Sequence, residues 1–133
     1  MTSKVIYKGA LRTEATHIRS GNTIITDAPT DNKGKGEAFS PTDLVVTALA
    51  SCMLTIMGIK ADEININIIG TSAEVKKIMA AGPRRIAQVI IVINIPISAS
   101  EKTKNILKKA ALTCPVDKSL SESMIRDIKF IWG

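Results

Sequence analysis

The chain has 133 residues, 45% hydrophobic and 23% charged, a balance that fits one globular domain and excludes a disordered tail or a collagen-like repeat. Two cysteines are too few for a disulfide-dense miniprotein, and 3% aromatics (Tyr7, Phe39, Phe130, Trp132) leave an aliphatic core, an aliphatic pocket and no platform for stacked bases. The net charge of +6 is spread over pairs such as Lys76–Lys77, Arg84–Arg85 and Lys108–Lys109 with no longer run, so no nucleic-acid partner is expected.

Residues 1–5 lack the charged and then apolar pattern of a signal peptide. The longest apolar segments, 44–50 and the interrupted 86–97, fall short of the ~20 residues that span a bilayer. The expectation is a cytoplasmic protein with no membrane partner. In that reducing compartment two cysteines are more often free or catalytic than a permanent disulfide.

Residues 4–18 read as one or two strands broken near Gly9, and 22–26 as another. Residues 27–36 are rich in turn formers and charge and read as a loop. The clearest helix start follows. Ser40 can cap, Pro41 occupies the first helical position where its missing N–H costs nothing, and Asp43 completes a Ser-x-x-acid box. From 41 to about 59 the helix is apolar nearly all round, with Leu44, Val45, Val46, Leu49, Met53, Leu54, Ile56 and Met57 leaving no polar face. Such a helix must be covered on most sides, and a domain this small can hardly do so alone, so a second copy is expected.

Ile64-Asn65-Ile66-Asn67-Ile68 alternates and predicts a half-buried strand continuing loosely to 77, before a turn at 80–83. Residues 85–97 predict a long strand with Ala87, Val89, Ile91, Ile93, Ile95 and Ile97 on one face. Gln88 and Asn94 mark the other face, and Pro96 marks where it leaves the sheet or forms an edge. Residues 100–112 read as a helix with Ile106, Leu107, Ala110 and Ala111 as its apolar stripe and Lys102, Lys104, Lys108 and Lys109 facing water. Cys114-Pro115-Val116-Asp117 opens another helix, and 124–132 form a last strand. The order β-β-β-α-β-β-α-α-β segregates strands from helices, so the fold class is α+β, in a single domain over 1–133.

Two cysteines and one histidine cannot make a four-ligand structural zinc site, and no glycine-rich phosphate or dinucleotide motif is present; neither metal nor cofactor is expected. His17 reads as an ordinary strand side chain. Cys52 lies three turns into the apolar helix, where the helix dipole no longer acts. Taken alone it reads as a buried, inert thiol, and if it reacts a nearby cation must stabilise its thiolate. Cys114 sits between a helix end and Pro115, where its sulfur can accept from amides and has room to move. A thiol on a rigid helix and a second at a helix junction are what a two-cysteine redox cycle requires.

Phe39-Ser40-Pro41-Thr42-Asp43-Leu44, then Ala48-Leu49-Ala50-Ser51-Cys52-Met53 in one helix, then Cys114-Pro115 about sixty residues on, resembles the OsmC/Ohr family of osmotically inducible and organic hydroperoxide resistance proteins. The likeness runs through nearly the whole chain. It implies an intertwined homodimer with antiparallel sheets packed around a central apolar helix. It also implies a thiol peroxidase in which Cys52 attacks the peroxide of a small hydrophobic hydroperoxide. Cys114 then resolves the sulfenic acid to a disulfide, and an external dithiol reduces it. Arg19 takes the place of the family's arginine beside the thiolate. Hydroperoxide-active members carry a glutamate directly after the helix-opening proline. Thr42 stands there in this chain, with Asp43 and Glu37 as the acids able to support the site. The alternative is a dimeric small-molecule binding protein with an aliphatic pocket and no turnover.

Overall fold

Residues Met1–Gly133 are described by a computed structural model, in which the chain forms two compact units, Met1–Val45 and Val46–Gly133. The first unit is built on an antiparallel meander of β1 (Ser3–Gly9), β2 (Arg12–His17) and β3 (Thr23–Asp27), paired in that order. The break near Gly9 is a tight turn in which Gly9, Ala10 and Leu11 all take positive φ. In the turn after β2, the His17 N–H donates to the Asn22 carbonyl and the Ser20 N–H donates to the His17 ring, so the histidine serves the turn. Residues 28–39 fold back on β3: the Gly36 N–H reaches the Ala28 carbonyl and the Asp27 N–H reaches that of Phe39. Gly34 is obligatory in this strap, because a Cβ there would stand 1.7 Å from the Ala28 carbonyl oxygen.

Helix α1 (Pro41–Glu63) starts where the sequence predicts. The Asp43 N–H donates to Ser40 Oγ at 3.0 Å while the Ser40 N–H donates to the Asp43 carboxylate at 3.0 Å, a reciprocal capping box. The helix runs one turn beyond the predicted end at about 59. It stops in a Schellman motif: Asn65 takes φ +57°, Ile66 N–H bonds the Ala61 carbonyl and Asn65 N–H bonds that of Asp62. This corrects the predicted strand at 64–68. Ile64, Ile66 and Ile68 are half-buried against the core, as their alternation requires, but the left-handed Asn65 turns the chain out of any ladder and no strand pairs with it.

The second unit carries a sheet of β4 (Ser72–Ala80), β5 (Arg85–Ile95) and β6 (Ile125–Trp132), in that order. β4 and β5 are antiparallel, but β5 and β6 are parallel, so the expectation of antiparallel sheets holds for the first sheet and fails for half of the second. Between β5 and β6 the chain crosses over through α2 (Glu101–Ala111) and α3 (Pro115–Ser119), which lets β6 enter in the same direction as β5. Val89, Ile91, Ile93 and Ile95 form the buried face of β5, and the strand ends just before Pro96. They share one core with Val46, Leu49, Met53 and Met57 of α1, with Leu107 and Ala111 of α2, and with Cys114 and Met124. Lys104 and Lys108, expected to face water, instead lie over the Trp132 and Phe130 rings, 5.8 and 6.0 Å from their centroids. By length and composition α1 could cross a membrane, yet its buried stripe belongs to this core, as in a core helix. The architecture is α+β, with two three-stranded sheets.

Candidate functional site

The third turn of α1 places Cys52 half-buried beside the core residue Met53, both on a helix made rigid by its capping box and its packed stripe. Cys114 is the N-cap of α3, in extended conformation (φ −70°, ψ 148°), and its Sγ accepts from the Asp117 N–H at 3.4 Å. Both cysteines are free thiols, and Cys52 is near enough to Cys114 to shift its pKa. The burial is the reverse of the expected one. Cys52 is the more accessible thiol, and Cys114, expected to have room to move, is completely buried. Burial pushes the Cys114 thiol above its ordinary pKa, and the neighbouring Cys52 and Asp117 side chains act in the same direction. The Asp117 N–H bond opposes them and is outweighed.

Asp117 links this pair to β6. Its carboxylate accepts from Arg126 Nε at 2.9 Å, and its carbonyl accepts from Arg126 Nη2 at 3.1 Å. Beside them opens a cavity of about 660 Å³, floored by Leu49, Met53, Ala111, Met124 and Ile128 and rimmed by Asp117, Lys118, Glu122 and Arg126. No aromatic side chain lines it.

The other residues singled out from the sequence belong to the first unit. Arg19 is exposed in the turn between β2 and β3 and makes no ion pair within the chain. Asp43 serves the capping box, and Thr42 Oγ1 lies 3.2 Å from Ser40 Oγ. Glu37 meets a different arginine, Arg12, at 3.4 Å. Arg12 is the residue the sequence reading missed: its guanidinium forks onto the buried Asp27 carboxylate at 2.7 and 2.9 Å. The hydrogen bonds to Asp27 drive the Arg12 pKa above its ordinary value and hold that of Asp27 below the usual carboxylate range, against the desolvation of both. Arg12 and Asp27 stand directly opposite across β2 and β3, a pairing that exists only once the strands have taken their register. Neither this pair nor Arg126 left a local signal in the sequence. No group of three or more His, Cys, Asp or Glu side chains is arranged to hold a metal ion.

The family profile of OsmC-like proteins matches residues 34–128. A comparison with curated proteins finds no match. Among solved structures, the chain is similar to a candidate osmotic stress induced and detoxification response protein from Psychrobacter arcticus 273-4. The two are 56% identical over 100% of this chain and 96% of that one, with a TM-score of 0.93. It is also similar to an OsmC-like protein from Mycoplasma pneumoniae, at 17% identity over 98% and 94% of the two chains with a TM-score of 0.81. An organic hydroperoxide resistance protein from Legionella pneumophila matches at 17% identity over 100% and 97%, with a TM-score of 0.73. The last two likenesses are of fold alone. The first joins with the profile and with the Cys52 helix and Cys114-Pro115 turn, and on these grounds the chain belongs to the OsmC/Ohr family of OsmC-like proteins.

Proposed function

We propose that the protein is a cytoplasmic, homodimeric thiol peroxidase that reduces organic hydroperoxides through Cys52 and Cys114. The observation that carries this reading is a pair of neighbouring free thiols of unequal burial, the accessible one on a long packed helix and the buried one at a helix cap. Family membership and the detoxification and hydroperoxide-resistance names of its structural relatives support it. Cys52, the thiol that a substrate can reach, is the attacking sulfur, and Cys114 the resolving one. An external dithiol returns the disulfide to two thiols.

The test is stoichiometric. Fully reduced protein mixed with cumene hydroperoxide consumes one equivalent and loses two free thiols, and peptide mapping recovers a Cys52–Cys114 disulfide. Recovery of both cysteines unoxidised, with the hydroperoxide intact, removes the peroxidase. The cavity of about 660 Å³ with its aliphatic floor then favours the second reading, a binding protein for an apolar small molecule.

Thiolate chemistry at Cys52 needs a cation, and the family likeness assigns that role to Arg19. Arg19→Met is expected to slow Cys52 oxidation by about ten-fold or more at pH 7. Coincident rate-against-pH curves for wild type and variant would take Arg19 out of the site. The same measurement on Arg12→Met tests the second candidate, favoured by one observation: an acid, Glu37, already orients Arg12.

A further inference from the structure

We propose that Arg126 is a positioning residue for the second cysteine: by tying Asp117 and the connection after it to the start of β6, it holds the cap of α3, and with it the Cys114 sulfur, against Cys52. This rests on the two-cysteine reading above.

Helix α3 has five residues and buries none of them. A helix that short has no stability of its own. The connection after it, residues 120–124, packs on the core only through Leu120 and Met124, beside the cavity described above. Its polar anchorage centres on one guanidinium. Arg126 Nε donates to Asp117 Oδ1 at 2.9 Å and Nη2 to the Asp117 carbonyl at 3.1 Å, while Nη1 donates to the carbonyls of Ser121 at 2.7 Å and Met124 at 2.5 Å. Only the planar, multiply donating guanidinium can gather four acceptors in this way. Asp117 then passes the restraint on, since its own N–H is the donor to Cys114 Sγ. Arg126 touches neither thiol and acts through Asp117.

The step it serves is the second of the cycle. In the first, the Cys52 thiol gives up its proton and the thiolate attacks a peroxide oxygen. The O–O bond breaks, the sulfur is oxidised by two electrons to a sulfenic acid, and the leaving alkoxide takes up a proton to depart as the alcohol. In the second, the Cys114 sulfur attacks the Cys52 sulfur. The S–O bond breaks as the S–S bond forms, and the Cys114 proton leaves with the hydroxyl group as water. Cys114 is buried, so this attack depends on its sulfur staying in line with Cys52, and a misplacement of about 1 Å can cost about a hundred-fold.

The experiment mixes reduced protein with one equivalent of cumene hydroperoxide. It follows peroxide loss, disulfide formation and dimedone-trapped Cys52 sulfenic acid in wild type, Arg126→Met and Arg126→Lys. The expected result for Arg126→Met is a fall of about ten-fold or more in the ratio of disulfide formation to peroxide consumption, with dimedone-labelled Cys52 accumulating. Arg126→Lys, which keeps the charge and loses the fork, falls between. A ratio equal to wild type in folded Arg126→Met overturns the proposal, and so does an equal loss of both steps. If Arg126→Met does not fold, a wild-type ratio in Arg126→Lys overturns it, and an intermediate ratio supports it. Wild-type protein that gives neither adduct nor disulfide removes the two-cysteine reading itself. Disulfide formation that is normal in wild type and variants alike removes only the role of Arg126.

Discussion

Asp27 is the most constrained polar side chain of the first unit. It is buried, it takes both prongs of the Arg12 fork, and it accepts the Glu37 N–H at 3.2 Å, so one carboxylate joins β2, β3 and the strap that follows. Its pKa is held down chiefly by the Arg12 hydrogen bonds, which fixes the sign of the pH dependence. A group whose folded-state pKa lies below its unfolded value contributes stability that is complete above about pH 4 and is lost as pH falls through the folded value. Asp27→Asn is therefore expected to lower the Tm by a constant amount from neutral pH down to about 4, and by progressively less below it. Thermal unfolding against pH for the two proteins checks this, and a gap that widens on acidification would sink it.

At the scale of elements, the start of α1 is the most locally determined feature of the chain. Ser40 is buried and supplies Oγ to the Asp43 N–H, while its own N–H is satisfied by the Asp43 carboxylate. Ser40→Ala leaves the Asp43 amide without an acceptor and is expected to cost about 1 kcal/mol. Urea unfolding measures it, and a loss below about 0.3 kcal/mol would mean that packing alone sets the start of the helix. The other end of α1 shows why local reading has a limit. The Ile-Asn alternation at 64–68 satisfies the period of a strand, but Asn65 is also one of the few residues that accept the left-handed conformation of a helix stop. Helix termination won, and the isoleucines found the core without a ladder.

At the scale of the molecule, the first sheet leaves apolar side chains uncovered. Val5, Ile6 and Tyr7 are consecutive in β1, so they point to alternate faces, yet all three are exposed, as are Ile24 and Ile25 of β3. A three-stranded sheet needs a buried apolar face to persist in water. The occupant we propose is a second copy of the chain. Light scattering at low micromolar concentration is expected to give one species at twice the 14.3 kDa chain mass, with an interface above about 2,000 Å². Tyr7→Glu should weaken that association. A folded species at the mass of a single chain would refute it.

The order of elements, the capping box, the inward face of β5 and the α+β class were all legible in the amino-acid sequence, because each depends on residues within a few positions of one another. The cysteine pair was legible only as two separate thiols. Their proximity, the greater burial of Cys114, the parallel entry of β6 beside β5, and the Arg12–Asp27 and Arg126–Asp117 pairs were decided by tertiary structure. Each of these joins residues that meet only after strands have chosen partners and register, and burial, which raises the Cys114 pKa, exists only once the core has closed around it.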